Sequence, residues 1–510
     1  MMGSEPSQPV APGFFRFGVA DFVFVFFALS ILQRAGGGMV DDPGLGWQIR
    51  IPDAMIEHGG FVYTDPFGGP TQGEPWVPYG FLGSSLYRLA DEWSGLDGIA
   101  ALTAFTLALL LRCLYRMLVT DGVPTVQALL WTFLAALGIS SAWVARPNVF
   151  TLLFTLVTAH VCVQWHRGQI SRNRTLWLIP LFLVWANTHG GFAGGLITIA
   201  VAGLAELAIA RFNPGGRSEA IARFRWFVML GAGCFLATLV NPYGWRLHAL
   251  ILKVMRDPFM MNLNDDWLSP DFHAVGAFRF ELLILLLPLL LACSRYRPDW
   301  VSLALVIVWL HFALNGRRFA PLWVLVAVPT MALLTKELPV MERIGAWLRE
   351  SHPDFAPRPP APAGRLRWFW TAVIALALLI STRYVGAYAR HNPEIIPAQA
   401  LDRLLELHRG ERVFHSINWG GYLTWKGWKN EPHFLVWIDD RNEIYGKART
   451  EEWRTLSAAL PGWREKLDDL GIELVCIEAN SGLAYRLAEE PHRWEELYRD
   501  DYAVIFRRKG

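Results

Sequence analysis

Roughly eleven separate apolar runs, each near the length of a membrane crossing, constrain this chain more than any other feature. They lie at 17–34, 98–118, 124–143, 148–165, 175–188, 191–210, 226–240, 280–294, 299–315, 318–335 and 368–386. A bilayer core needs about 20 mostly apolar residues per helix, fewer where protein protects the ends. Such a chain reads as a polytopic α-helical membrane protein, since only helices or closed barrels satisfy the backbone in lipid. Composition agrees: 53% of the 510 residues are hydrophobic and only 18% charged, against about 25% charged in soluble proteins. A net charge of +2 gives no reason to expect nucleic acid. The five cysteines form no metal knuckle and no disulfide framework. The first apolar stretch is too long for a cleavable leader and lacks a cleavage site.

Lys and Arg set the orientation. With the 1–16 segment in the cytoplasm, the loops 111–123, 166–174, 211–225, 295–298 and 336–367 are inside and hold about twice as many Lys and Arg as the outer loops. The large outer loop 35–97 holds only Arg50 and Arg88. An odd number of crossings then places a C-terminal domain, 395–510, outside, joined through the membrane region 17–394. A Pro-rich stretch, 354–366, reads as an inner linker. The C-terminal region reads as a small soluble α/β domain. Its strands are expected at 411–415, 433–438, 472–477 and 502–508, with helices at 397–409, 449–458 and 461–469.

On this topology the unusual polar motifs all face outward: MVDDPGLGWQIR (39–50), YTDPFGGPTQGEPW (63–76), ARPN (145–148), ANTHGG (186–191), NPYGWR and LNDDWLSPDF in the second large outer loop (241–279), and NGRRF (315–319). Convergence on one face suggests one site at the outer membrane boundary. Asp41 and Asp42 follow the first span directly, which suits either a site or a solvated turn before Pro43. Arg317 and Arg318 run against the positive-inside tendency, and guanidinium suits bidentate phosphate binding. Arg146 reads either as a phosphate contact or as a headgroup anchor. His189 fits a buried structural histidine as well as a catalytic one, and Asp265 with Asp266 offers oxygen donors for a divalent ion or a plain solvated loop. Segments 47–58 and 79–94 have the apolar face of helices lying on a membrane surface. In the C-terminal domain, NWGGYLTWKGW (418–428) and WIDDRNEIYG (437–446) contribute Trp419, Tyr422, Asp439 and Arg441, suited to a sugar, to lipid or to packing.

Together, DPGLGWQIRIPDAMIEHG, TDPF, RPNVFTLLF, WANTHGGFAGG, NPYGWRL, DDWLSPDF, RRFAPL, WGGYLTW and IDDRNEIYG resemble, over nearly the whole chain, bacterial relatives of the GT-C glycosyltransferases. These use polyprenyl-phosphate-linked sugars. The resemblance implies a membrane glycosyltransferase on the outer face of the bacterial cytoplasmic (inner) membrane, with a glycan, lipid or protein acceptor. It implies that Asp42 or its neighbour Asp41 sits at the donor–acceptor junction as general base. Outer arginines, Arg317 and Arg318 with Arg146, would lie near the lipid phosphate. No nucleotide site is needed, because the donor is already lipid-linked; no cofactor is indicated, and a divalent metal stays open. The sequence departs from the pattern where relatives carry a tryptophan pair and a histidine; here stand Gly46, Trp47 and Gln48. Tyr79, Gly80, Phe81 and Leu82 replace a His-Glu-Trp-Leu run. The competing expectations are a non-enzymatic assembly or scaffold protein that kept only the fold, and a transporter. The latter is disfavoured because no internal repeat is visible.

Overall fold

The structure, a computed structural model, describes residues 17–351 and 368–509 apart from 275 and 387. The 1–16 segment and the 354–366 linker lie outside the described residues.

All eleven apolar runs fold as helices. Five are long and apolar enough to cross a membrane: Phe81–Thr120, Asn148–His166, Phe192–Phe212, Pro214–Thr238 and Arg317–Lys336. Val19–Leu32, Thr125–Gly138, Trp300–Asn315 and Phe369–Tyr384 are apolar but shorter. Leu178–Thr188 and Phe278–Cys293 complete the set. The number of crossings expected from the sequence is therefore not fixed by helix length. A buried pair, Arg112 with Asp21 at 3.3 Å, ties two of these helices together, and Thr371 from a third donates to the same carboxylate at 2.6 Å.

The two expected surface helices exist in altered form. One is Leu45–His58. The other is the first part of Phe81–Thr120, which breaks at Ser94 and Gly95, where Gly95 takes φ +58°. A polar half and an apolar half thus share one continuous element, because glycine accepts the left-handed backbone the bend requires.

The C-terminal domain carries a four-stranded sheet of β1 (Val413–His415), β2 (Leu474–Glu478), β3 (Trp494–Arg499) and β4 (Ala503–Arg508), in the order β1-β2-β4-β3. β1 runs parallel to β2, and the other pairings are antiparallel. β2 is buried along Leu474–Ile477, as a strand covered on both faces should be. Helices form at Ala398–Leu407, Asn442–Ser457 and Trp463–Asp469, near the expected places. The expected strand at 433–438 is not one. Val436 makes a single parallel bridge to Gly68 of loop 35–97, and Trp437 packs against the core of the sheet without pairing as a strand. The strand absent from the sequence reading, β3, is the charged edge strand WEELYR, whose Glu and Arg residues face solvent and protect the sheet edge.

The WGGY segment forms a short helix, Gly420–Gly427, seated on the start of Leu45–His58. A Cβ on Gly46 would lie 1.8 Å from the Gly421 carbonyl oxygen, and one on Gly421 equally close to that of Pro43. Only glycine allows two backbones to meet this way. Arg50, buried at this seam, donates from Nε to the Trp425 carbonyl at 2.9 Å.

Candidate functional site

The outward motifs assemble at one end of the helices. Ala145 donates to the Met39 carbonyl at 2.7 Å, Arg317 N–H to that of Leu268 at 2.8 Å, and the Tyr243 hydroxyl to that of Val62 at 3.2 Å. The opposite end holds a separate set of pairs, including Arg167–Asp299 at 2.9 Å and Arg223–Glu206 at 2.7 Å.

Arg146 is the hub of the outward end. It follows a short helical turn and precedes the helix Asn148–His166. Its guanidinium pairs with Asp42 from the first loop, with Asp266 at 3.1 Å, and more loosely with Asp440 of the C-terminal domain at 4.0 Å. Burial works against its charge, yet these three carboxylates hold it protonated well above the ordinary arginine range. Asp42 also accepts from the Gly44 N–H at 2.9 Å and is nearly closed to solvent. Asp440 accepts from the Trp47 indole N–H at 2.7 Å and retains 23% of its side-chain exposure. Burial, followed by the charges of Asp42 and Asp439, pushes its carboxyl up to about 7, with Arg146 and Trp47 opposing.

Asp266 also faces Arg317 at 3.5 Å, on a one-turn helix whose Asp266 N–H bonds to the Asn264 side chain. Arg318 differs from both other arginines. It stacks over the Trp267 ring at 4.2 Å, and no carboxylate lies within ion-pair distance of it among the described residues. Tyr79 stands edge-on to His189, with ring centroids 6.5 Å apart. His189 contacts the Thr151 hydroxyl at 2.9 Å and accepts from the Gly191 N–H at 3.0 Å. Burial, then the charges of Arg318 and Arg146, pushes it down to about 3, so it is a neutral imidazole at physiological pH.

Other residues singled out by sequence stand elsewhere. Asp41 is buried and turned away from Asp42, receiving His391 Nδ1–H at 2.9 Å and the Asn392 N–H. Asp265 is exposed. Trp419 is buried and donates to the Ile395 carbonyl at 3.0 Å, and Tyr422 donates to Asp402 at 2.8 Å. Asp439 and Arg441 are wholly buried: Arg441 pairs with Asp439 at 2.7 Å and with Asp65 at 2.5 Å, clamping the C-terminal domain to the first outer loop. The residue the sequence reading missed is Asp440, between them. Its signal was positional, since neighbours flanking a buried ion pair face the other way. Among the described residues no group of three His, Cys, Asp or Glu side chains is spaced to hold a metal ion. Where Asp42, Asp266 and Asp440 gather, the cation among them is Arg146.

No family model and no curated protein matches the chain. Solved structures do. The archaeal oligosaccharyltransferase AglB from Archaeoglobus fulgidus, in complex with an inhibitory peptide and a dolichol-phosphate, is similar at 12% identity with a TM-score of 0.57. The match covers 96% of this chain and 74% of that one. ArnT from Cupriavidus metallidurans, bound to undecaprenyl phosphate, is similar at 13% identity and a TM-score of 0.51, covering 95% and 97%. Another structure of the Archaeoglobus enzyme, tethered to an acceptor peptide, gives 13% and 0.52. Over nearly its whole length, then, this chain shares the fold of AglB and ArnT.

Proposed function

We infer that the protein transfers a sugar from a polyprenyl-phosphate carrier to an acceptor at the outer membrane boundary. The observation that carries the reading is Arg318. A guanidinium on an aromatic shelf, with no carboxylate partner among the described residues, leaves its bidentate donors free for a phosphate. Arg317, one residue away, shares Asp266 with Arg146, so the phosphate position adjoins the three-carboxylate cluster. The likeness to one protein bound to undecaprenyl phosphate and another bound to dolichol-phosphate supports the same chemistry.

In the reaction, the bond between the anomeric carbon and the phosphate oxygen breaks as the acceptor oxygen attacks that carbon. Charge developing on the leaving phosphate is met by Arg318 and Arg317. The acceptor proton passes to the Asp42–Asp440 pair. Asp42 is committed to Arg146 and to the Gly44 N–H, whereas Asp440 is more open and has its carboxyl near 7, close to the ideal for a general base. We therefore assign the proton to Asp440 and the fixing of Arg146 to Asp42. Tyr79, held protonated by burial, supplies a hydroxyl donor rather than a base. On this reading the bilayer is the inner membrane and the C-terminal domain is extracytoplasmic.

The test is binding of undecaprenyl phosphate to the full chain in nanodiscs. Arg318→Ala should weaken it about tenfold or more, the worth of a charge-assisted hydrogen bond of roughly 1.5–3 kcal/mol. Unchanged affinity would sink the phosphate role. Intact binding with no turnover on any carrier-linked sugar would favour the scaffold reading, for which Tyr79 in place of a histidine is the specific observation.

A further inference from the structure

A cavity of about 1130 Å³ lies between Leu45–His58, the bend of Phe81–Thr120 and the helix Gly420–Gly427. It exceeds the roughly 300–1,000 Å³ usual for small-molecule sites. Its wall mixes apolar surface with many charged groups. Six carboxylates line it, among them Asp53, Glu57 and Asp91, with four cations, among them Arg50, Arg88 and Lys426. That balance is unsuited to a lipid tail and, being net acidic, to an anion. Many of these groups are already held. Arg50 pairs with Asp53 at 2.6 Å, and Arg88 with Asp53 and with Glu92 at 2.8 Å, so the wall is stiff before any ligand arrives.

Aromatic edges complete it. The Trp425 indole donates to Asp91 at 3.0 Å and the Trp428 indole to Glu57 at 2.9 Å, which fixes both rings beside carboxylates. Fixed indoles alternating with carboxylates and ammonium groups offer apolar faces together with hydrogen-bond donors and acceptors. A neutral molecule carrying many hydroxyls matches that wall.

The cavity also holds an unfinished bond. His391 lines it with a side chain only 10% exposed. Its Nδ1 is spent on Asp41, and its Nε2 is buried with no partner among the described residues. With Nδ1 engaged by a carboxylate, Nε2 is the ring atom left to meet a ligand. An orphaned buried polar atom is costly unless something fills it. Asp41 is the chain neighbour of Asp42, which pairs with Arg146.

We propose that this cavity is the acceptor groove and that it binds a neutral oligosaccharide, one hydroxyl of which pairs with His391 Nε2. The proposal rests on the glycosyl-transfer reading for its link to the reaction but not for the binding itself. The experiment is saturation-transfer NMR and tryptophan fluorescence on the full chain in nanodiscs. The probes are an equimolar mixture of neutral glucose, mannose, galactose and N-acetylglucosamine tetrasaccharides, and tetralysine in parallel. At least one tetrasaccharide should bind and perturb the tryptophan emission. His391→Phe, which keeps a ring and loses the hydrogen-bonding nitrogen, should weaken it about tenfold, with undecaprenyl phosphate binding unchanged. Glu57→Gln, at the exposed rim, should weaken it severalfold without affecting folding. Binding of no tetrasaccharide, binding insensitive to both variants, or binding of tetralysine alone would each overturn the proposal. Oligosaccharide binding without any binding of the lipid phosphate would instead overturn the transferase reading and leave the groove standing.

Discussion

Replacing Asp440 by Asn should sharply lower turnover and at the same time stabilise the protein at alkaline pH. The carboxyl is raised to about 7 by burial and by Asp42 and Asp439. In the unfolded chain it returns to about 3.9. Between these values the folded state holds a proton that the unfolded state has released, so stability falls as pH rises through this window. The gap bounds the loss at about 4 kcal/mol. With 23% of the side chain exposed, solvent screening leaves an expected loss of about 1–3 kcal/mol. Asn keeps an oxygen for the Trp47 indole but carries no charge, so the variant should lack this pH dependence. Wild-type melting in nanodiscs should therefore drop by a few degrees between pH 5 and pH 8 relative to Asp440→Asn. Turnover runs the opposite way: the base form grows through pH 7, so the wild-type rate should rise with pH and level off above it. Asp440→Asn should lie about two to four orders of magnitude lower. Wild-type turnover in the variant at pH 8, or parallel melting curves for the two proteins, would refute the assignment.

Two further outcomes follow from the geometry. Arg441→Met removes the cation between Asp439 and Asp65 and leaves two buried carboxylates, which should cost about 3–5 kcal/mol and loosen the C-terminal domain, as read by limited proteolysis of detergent-purified protein. For sidedness, an alkaline phosphatase fused after residue 510 should be active and a fluorescent protein fused there dark; the reverse would move the whole cluster to the cytoplasmic face.

The helical frame was legible because apolar runs of membrane length have few alternatives to helix, and each run did become one. The gathering of the motifs at one end of the helices was legible as a pattern, but their partners were not. Asp41 and Asp42 differ by one position, yet one meets His391 and the other Arg146, from segments about 350 and 100 residues away. The triplet Asp439-Asp440-Arg441 misled the reading for the same reason. Its outer members were singled out as site candidates and form a buried ion pair, while the middle residue turns toward Arg146. The run at 433–438 has strand composition, but its residues are buried by different surfaces: Phe434 by His408, Val436 beside Gly68 of loop 35–97, and Trp437 against the core of the sheet, and sequence pattern does not say which surface buries an apolar run. The edge strand β3 carries too much charge to show a period of two.

The seam where Gly421 meets Pro43 and Gly46 also sets an order of assembly. Residues 42 to 50 enter the membrane region early in synthesis, but the surfaces that complete them emerge some 370 residues later. Until Gly420–Gly427 docks, Arg50 lacks the Trp425 carbonyl and Trp47 lacks Asp440. The inserted helices therefore wait with an open, partly satisfied outer loop. The C-terminal domain acts as a closing piece, so a nascent chain that has inserted but not finished translation holds Asp42 and Arg146 without Asp440.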